Sequence, residues 1–196
     1  MERSEARDRI ARKAMEEILV KGYSKVTMDA ISSSLGMSKK TIYQIYPGKR
    51  ELLKTVLTKL QKEIEEGIAE KVVAEHTDFR ERWRTVLEYI GMQYARIGPG
   101  FVEDLRTAEP EIYQSLNAFR VGLVMKYFAR LAEEGSQLGV FRKDLDHRLL
   151  SAVYLASVQA ILNPVTVQEL GIPPAQAYHD LVKLLFEGIS DRAMKV

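Results

Sequence analysis

Residues 38–44 hold a run of side chains that can bind nucleic acid. Lysine ammonium groups and hydroxyls bind DNA phosphates, lysine also donates to guanine acceptors, and glutamine pairs bidentately with adenine. If the run is a helix, Ile42 and Tyr46 point back toward a core and the polar side chains share the opposite face. The same pattern also suits an ordinary polar surface helix. The face predicted to read double-stranded DNA consists of Ser38, Lys39, Lys40, Thr41, Tyr43 and Gln44.

A helix-turn-helix over residues 27–46 would position these side chains. Thr27 suits the N-cap of its first helix and Ser38 the N-cap of its second. Gly36 suits the turn because it tolerates a positive φ, and Ser32 is small enough for a steep helix contact. The N-terminal part is also basic, with 11 Lys+Arg against 6 Asp+Glu in residues 1–50 and 18 against 21 in residues 51–196. This asymmetry is typical of a chain whose one end meets a polyanion.

The same segment resembles a known family of regulators. Thr27–Ile31, Leu35–Lys39, Thr41–Tyr43, Tyr46–Lys49 and Glu51–Leu53 are similar to the TetR/AcrR family signature, and the resemblance is specific over about residues 8–55. It implies a bacterial transcription regulator that binds a palindromic operator as a homodimer. Repression is expected from the family's tendency, since the residues themselves do not separate repressor from activator.

The resemblance also implies roles for individual residues. Thr27 would cap the second helix and hold a phosphate, Tyr43 would reach the DNA backbone, and Lys49 would clamp a phosphate at the start of the fourth helix. The residues that would face bases or flanking phosphates are Lys39, Lys40, Thr41 and Gln44. The chain departs from the usual pattern at four positions, which leaves the operator sequence open: Ser32, Lys40, Ile45 and Tyr46.

Helical periodicity dominates the rest of the chain and predicts an all-α fold of about nine helices. The breaker Gly98-Pro99-Gly100 ends one helix, Pro110 opens a helix reaching about residue 134, and Asn163-Pro164 ends another. We therefore predict two domains. Residues 1–48 form a three-helix DNA-binding domain containing the helix-turn-helix, and residues 49–196 form an antiparallel helical bundle for ligand sensing and dimerisation.

Two helices of the bundle carry faces suited to a dimer. Small residues let helices approach closely, so two such pairs can form a four-helix interface across a two-fold axis. Ordinary packing within one chain is the alternative. The predicted interface consists of Leu149, Ala152, Val153, Ala156 and Ala160 on one helix and Leu181, Leu184, Leu185 and Gly188 on the last.

Two apolar stripes are candidates for an effector site. Stripes of this kind are more often core than pocket, but the family resemblance implies a cavity enclosed by helices four to eight. Met92 and Met125 would add adaptable surface. Because no charge dominates the stripes, we expect an apolar or aromatic small molecule as the effector. The candidate residues are Trp83, Leu87, Ile90 and Tyr94 on one helix and Phe119, Leu123 and Tyr127 on another.

Other function classes find little support in the residues. There is no cysteine, and the three histidines have no metal-ligand spacing. No phosphate loop, dinucleotide fingerprint or nucleophile elbow is present, so no enzyme, cofactor or metal site is expected. Without a signal peptide or an apolar run of transmembrane length, we expect a cytoplasmic protein with no membrane contact. The alternative is an architectural or adaptor DNA-binding protein with no effector.

Overall fold

The computed structural model describes residues 2–73, 78–161 and 163–189. The predicted all-α class is confirmed, and no strand occurs in these ranges. The helices, numbered in chain order, are α1 (Glu2–Lys21), α2 (Met28–Ser34), α3 (Lys39–Ile45), α4 (Lys49–Val72), α5 (Phe79–Ile97), α6 (Pro99–Ala108), α7 (Pro110–Leu123), α8 (Ala129–Gln137), α9 (His147–Ile161), α10 (Pro164–Leu170) and α11 (Pro174–Ile189).

The helix breaks follow local chemistry. Gly98 has a φ of 68° and separates α5 from α6, as its breaker sequence predicts. Pro110 is the first residue of α7, where its missing N–H costs nothing. Asn163 follows α9, whose described range ends at Ile161, and caps α10, because its side-chain oxygen accepts from the Val165 N–H at 2.9 Å. No helix was predicted over residues 164–170, so this short helix was missed.

A π-helical turn, Val124–Phe128, joins α7 to α8. The sequence predicted an uninterrupted α-helix from Pro110 to about residue 134, and periodicity cannot resolve one inserted residue. Tyr127 lies within this turn and is buried. Turns of this type often occur at functional sites in helical proteins.

The chain forms two compact units. Unit 1 comprises the described residues up to Glu63 together with Gly100–Leu116, and unit 2 comprises Ile64–Pro99 and the described residues from Asn117 onward. Nothing in the sequence predicts that residues 100–116 belong to the same unit as the N-terminal helices, since nearly forty residues separate them. The functional boundary between residues 48 and 49 stays a prediction.

Unit 1 is built around one apolar core. The α1 stripe Ile10, Ala14 and Ile18 is fully buried because residues four apart lie on one helix face. Ile31 of α2 and Ile42 of α3 are buried with it. Burying each isoleucine side chain contributes about 1.5–3 kcal/mol, which holds two seven-residue helices that would not persist alone.

An aromatic cluster forms the centre of unit 2. The ring of Trp83 lies 4.8 Å from that of Phe141 and 5.0 Å from that of Phe128. Phe128 in turn stacks on Tyr154 at 4.3 Å, and the buried Tyr154 hydroxyl hydrogen-bonds that of Tyr178 at 2.8 Å. Such pairs contribute beyond their buried area, so this cluster fixes α5, the π-helical turn, α9 and α11 around one point.

Candidate DNA-binding surface and effector region

Side-chain caps hold the two helices of the helix-turn-helix. Thr27 accepts from the Ala30 N–H at 3.1 Å and Ser38 accepts from the Thr41 N–H at 3.1 Å. Each bond satisfies an amide that the helix start leaves without a partner. Gly36 takes a φ of 64° in the turn, as predicted. The Ser38 and Thr41 hydroxyls also lie 2.8 Å apart, so both already have a protein partner.

The helix-turn-helix packs on its apolar side. Ser32 is buried, and its hydroxyl donates to the Asp29 carbonyl at 2.9 Å, so the small polar residue at the helix contact is satisfied. Tyr46 is buried, its hydroxyl donates to the Arg7 carbonyl at 3.3 Å, and the Arg7 guanidinium lies over its ring. Packing on this side leaves the other face of α3 exposed.

The predicted reading face is on the surface. Tyr43 is 47% exposed, and the remaining side chains of this face are also exposed. Lys39 makes an ion pair of 2.6 Å with Asp29 of α2, and that hydrogen bond raises the pKa of the lysine. The structure therefore brings Lys39, Lys40, Thr41, Tyr43 and Gln44 together on one exposed surface, and their contacts with DNA stay a prediction.

Lys49 lies at the start of α4 with contacts inside unit 1. Its ammonium group is 4.1 Å from the Tyr23 ring centre and 3.4 Å from the Ser24 carbonyl oxygen. Burial lowers the pKa of Lys49, and the nearby charges of Asp104 and Glu109 offset that only in part. The Lys49 ammonium group, to which the family resemblance assigns a phosphate contact, is therefore partly desolvated.

Several charged residues near Lys49 were not predicted from the sequence. Asp104 accepts from the Ser24 N–H at 2.8 Å and from the Ser24 hydroxyl. Burial opposes the ionised form, but these bonds hold the pKa of Asp104 below its usual value. Tyr23 donates to Glu109 at 2.9 Å, and burial together with this bond raises the pKa of Tyr23 to about 12. The only sequence signal was the charge of Arg50 beside Lys49.

The predicted effector residues divide by burial. Trp83, Leu87 and Tyr127 are buried, with the Trp83 ring inside the aromatic cluster. Ile90, Phe119 and Leu123 are partly exposed, and the Tyr94 side chain lies outside the described residues. Their role in binding a ligand stays a prediction. Packing in the aromatic cluster accounts for the burial of Trp83 without a ligand.

Helix α5 also carries three buried polar atoms that lack a hydrogen-bond partner in the described structure. These are the Arg82 Nε, the Trp83 indole nitrogen and the Gln93 side-chain oxygen. A buried donor or acceptor left unsatisfied costs about 1–3 kcal/mol, which makes such atoms candidates for ligand contacts. Gln93 was not predicted, because a single glutamine in a helix gives no signal of burial.

The predicted dimer faces are largely exposed in this chain. Leu149 is 62% exposed, Val153 43% and Leu184 70%. The small residues of the same α9 face, Ala152, Ala156 and Ala160, are exposed too, as is Gly188 on α11. Leu181 and Leu185 are half-buried. Packing within the described chain therefore leaves most of both faces uncovered.

The described ranges lack two other kinds of site. They hold no group of three or more acidic or histidine residues placed to bind a metal ion. None of their helices combines the length and the apolar character needed to span a membrane.

Comparison with known proteins supports the helix-turn-helix described above. Residues 10–56 match the model of the bacterial regulatory proteins, tetR family. A Bacillus subtilis (strain 168) protein, described as the uncharacterized HTH-type transcriptional regulator YvaF, is 24% identical over 185 residues, which is 93% of this chain and 94% of that one.

Two solved structures share the fold over nearly the whole chain. A chain described as a transcriptional regulator of Saccharomonospora viridis, in complex with choline, has a TM-score of 0.76 and 26% identity, covering 96% of this chain and all of that one. The fatty acid degradation regulator FadR of Bacillus halodurans has a TM-score of 0.72 and 20% identity, covering 95% and 97%.

Proposed function

Because the chain belongs to the tetR family of DNA-binding transcription regulators, we propose that it is a ligand-responsive repressor that binds a palindromic operator as a homodimer. The observation that carries the proposal is the capped α3, whose polar side chains share one exposed face while Ile42 and Tyr46 are buried behind it. A seven-residue helix held in this way fits the major groove.

Base reading falls to the outer side chains of α3. Gln44 offers the amide that pairs with adenine, and Lys40 offers an exposed cation for guanine or for a phosphate. Lys39 is held by Asp29 at 2.6 Å, which places its ammonium beside the first turn of α2 and favours a phosphate contact over a base contact.

Dimerisation is supported by the uncovered apolar faces of α9 and α11. Leu149, Val153 and Leu184 lie on helices that pack together in unit 2. A second copy related by a two-fold axis would cover these side chains with the same surface. The resulting pair of α3 helices suits two half-sites about one DNA turn apart, ~34–36 Å.

An effector site in unit 2 is supported by the stripes around α5 and by a choline complex in a protein of the same fold. The apolar side chains Leu87, Ile90 and Phe119 suit an apolar or aromatic body. The Gln93 side-chain oxygen, which has no partner among the described residues, needs a hydrogen-bond donor. We therefore propose a largely apolar effector that carries at least one such donor.

The test is selection of genomic DNA. Purified protein is incubated with sheared genomic fragments at moderate salt, and the retained fragments are sequenced. An inverted repeat near one or a few promoters is the expected result. Recovery of fragments without a shared motif would reject a specific repressor and favour an architectural protein. Effector candidates are then scored by whether they release the protein from the recovered repeat. If a panel of largely apolar compounds that carry a hydrogen-bond donor releases none of it, the ligand response is rejected.

A further inference from the structure

Two cations, Lys49 and Arg50, open α4. The recognition helix α3 ends at Ile45, so both follow it within five residues. A helix start carries partial positive charge and exposed N–H groups, which favours a phosphate at this position. Lys49 was assigned to a phosphate by family resemblance, whereas Arg50 has no assigned role.

Arg50 is bound to two carboxylates of the segment Gly100–Leu116. Its Nε lies 2.9 Å from Glu109 and its Nη2 lies 2.5 Å from Glu111. The guanidinium side chain is nevertheless 47% exposed. Glu109 is only 16% exposed and is held from the other side by the Tyr23 hydroxyl, whereas Glu111 is 82% exposed. The fork of Arg50 is therefore paired on one side and open to solvent on the other.

We propose that Arg50 is a second phosphate-binding cation of the DNA-binding head and that Glu109 and Glu111 compete with DNA for it. Carboxylates and phosphates bind a guanidinium through the same kind of N–H donors, so Glu109 and Glu111 compete with a phosphate for the donors and the charge of Arg50. The exposed pair with Glu111 is weak, and Arg50 itself is half-exposed, so a phosphate can compete for its guanidinium. The inference rests on the proposed function, because it presumes that the start of α4 meets DNA.

One of these carboxylates, Glu109, also acts on the neighbouring lysine. Glu109 and Asp104 both contribute attraction to the Lys49 ammonium, which lies against Tyr23 and Ser24. A phosphate that approaches Lys49 thus meets negative charge from Asp104 and Glu109. Neutralising Glu109 removes one of these charges and also frees the Nε of Arg50.

The experiment measures binding of the recovered inverted repeat as a function of KCl concentration for three proteins. Glu109→Gln is expected to bind about 2–5-fold more tightly than wild type at low salt, the size of one exposed ion pair. Its salt dependence should steepen by up to ~0.9 for each cation released. The matched control is Glu103→Gln, which removes the same charge from α6 but whose partner is Arg106 of the same helix, so no change is expected.

The gain must depend on Arg50. In an Arg50→Ala background, Glu109→Gln should no longer raise the affinity or the salt dependence. Persistence of the full gain in that background would overturn the proposal, and so would equal binding by Glu109→Gln and Glu103→Gln. Binding of the repeat by the wild type tests the proposed function separately. If the wild type binds and Glu109→Gln shows no gain in affinity, only the inference about Arg50 is rejected.

Two further variants separate charge from structure. Tyr23→Phe removes the hydrogen bond to Glu109 and leaves its charge, so it should not raise affinity; a gain equal to that of Glu109→Gln would assign the effect to a loosened segment. If Glu109→Gln does not fold, Glu111→Gln replaces it, because that exposed side chain has only Arg50 as its ion-pair partner in the described structure. A smaller gain, again abolished by Arg50→Ala, is expected, and no gain would overturn the proposal.

Discussion

The exposed face of α3 and the exposed faces of α9 and α11 are both predicted binding surfaces, but they differ in chemistry. The α3 face is polar, with Lys40, Thr41 and Gln44 in solvent. The α9 and α11 faces are apolar, with Leu149 62% and Leu184 70% exposed. Water solvates the first surface at no cost, whereas the second keeps its hydrophobic cost until another surface covers it.

The difference decides what the structure of one chain can say about each surface. Exposure of lysine and glutamine is ordinary and does not indicate use. A run of exposed leucine, valine and alanine along two packed helices is unusual for a chain that stays alone. The dimer proposal is therefore supported by the exposure of apolar side chains, while the reading proposal is supported by residue type and spacing.

The largest expected effect comes from charging the apolar faces. Leu184→Asp would bury a carboxylate against the partner, so we expect a monomer and a loss of operator affinity of about 100-fold or more, because the two heads then bind independently. Sedimentation equilibrium and fluorescence anisotropy measure both. Leu138→Asp is the matched control, since Leu138 is also exposed, at 54%, but lies at the end of α8. Unchanged mass for Leu184→Asp would remove the proposed interface.

A smaller effect is expected on the polar face, and it should depend on sequence. Gln44→Ala should lose about 1–3 kcal/mol of discrimination at one base pair of each half-site. The measurement is the affinity for a set of operators with single-base changes. Lys49→Ala is the comparison, because loss of a phosphate contact weakens all of these DNAs equally and lowers the salt dependence by ~0.9. A Gln44→Ala protein with wild-type preference would show that α3 is oriented differently.

The smallest effect distinguishes two glycines with the same surroundings in one chain. A Cβ atom at Gly122 or at Gly188 would meet no atom within 4 Å in the described structure. Each lies in a helix, so alanine should add ~1 kcal/mol to the free energy of unfolding. In the dimer, Gly188→Ala should lose this gain because the partner helix packs there, while Gly122→Ala should keep it. Thermal unfolding with and without Leu184→Asp tests this, and equal gains in the dimer would place Gly188 outside the interface.

The helix-turn-helix was predictable because its determinants are close in sequence. Thr27 and Ala30, and likewise Ser38 and Thr41, are three residues apart, so each cap can be identified from residue types alone. The α1 stripe is equally local. Helix α10 was missed because an Asn-Pro pair can either follow the end of one helix or begin the next one. The hydrogen bond from the Val165 N–H to Asn163 shows that Asn163 caps α10.

By itself, the sequence determined the all-α class, the helix-turn-helix and the apolar character of the α9 and α11 faces, since these depend on periodicity and on bonds between near neighbours. Only the tertiary structure decided which carboxylates lie beside Lys49 and Arg50. Glu109 and Asp104 come from a segment more than fifty residues away, and no periodic pattern relates it to α4. Partners of this kind depend on how helices pack, because a side chain's electrostatic neighbours are set by distance in space.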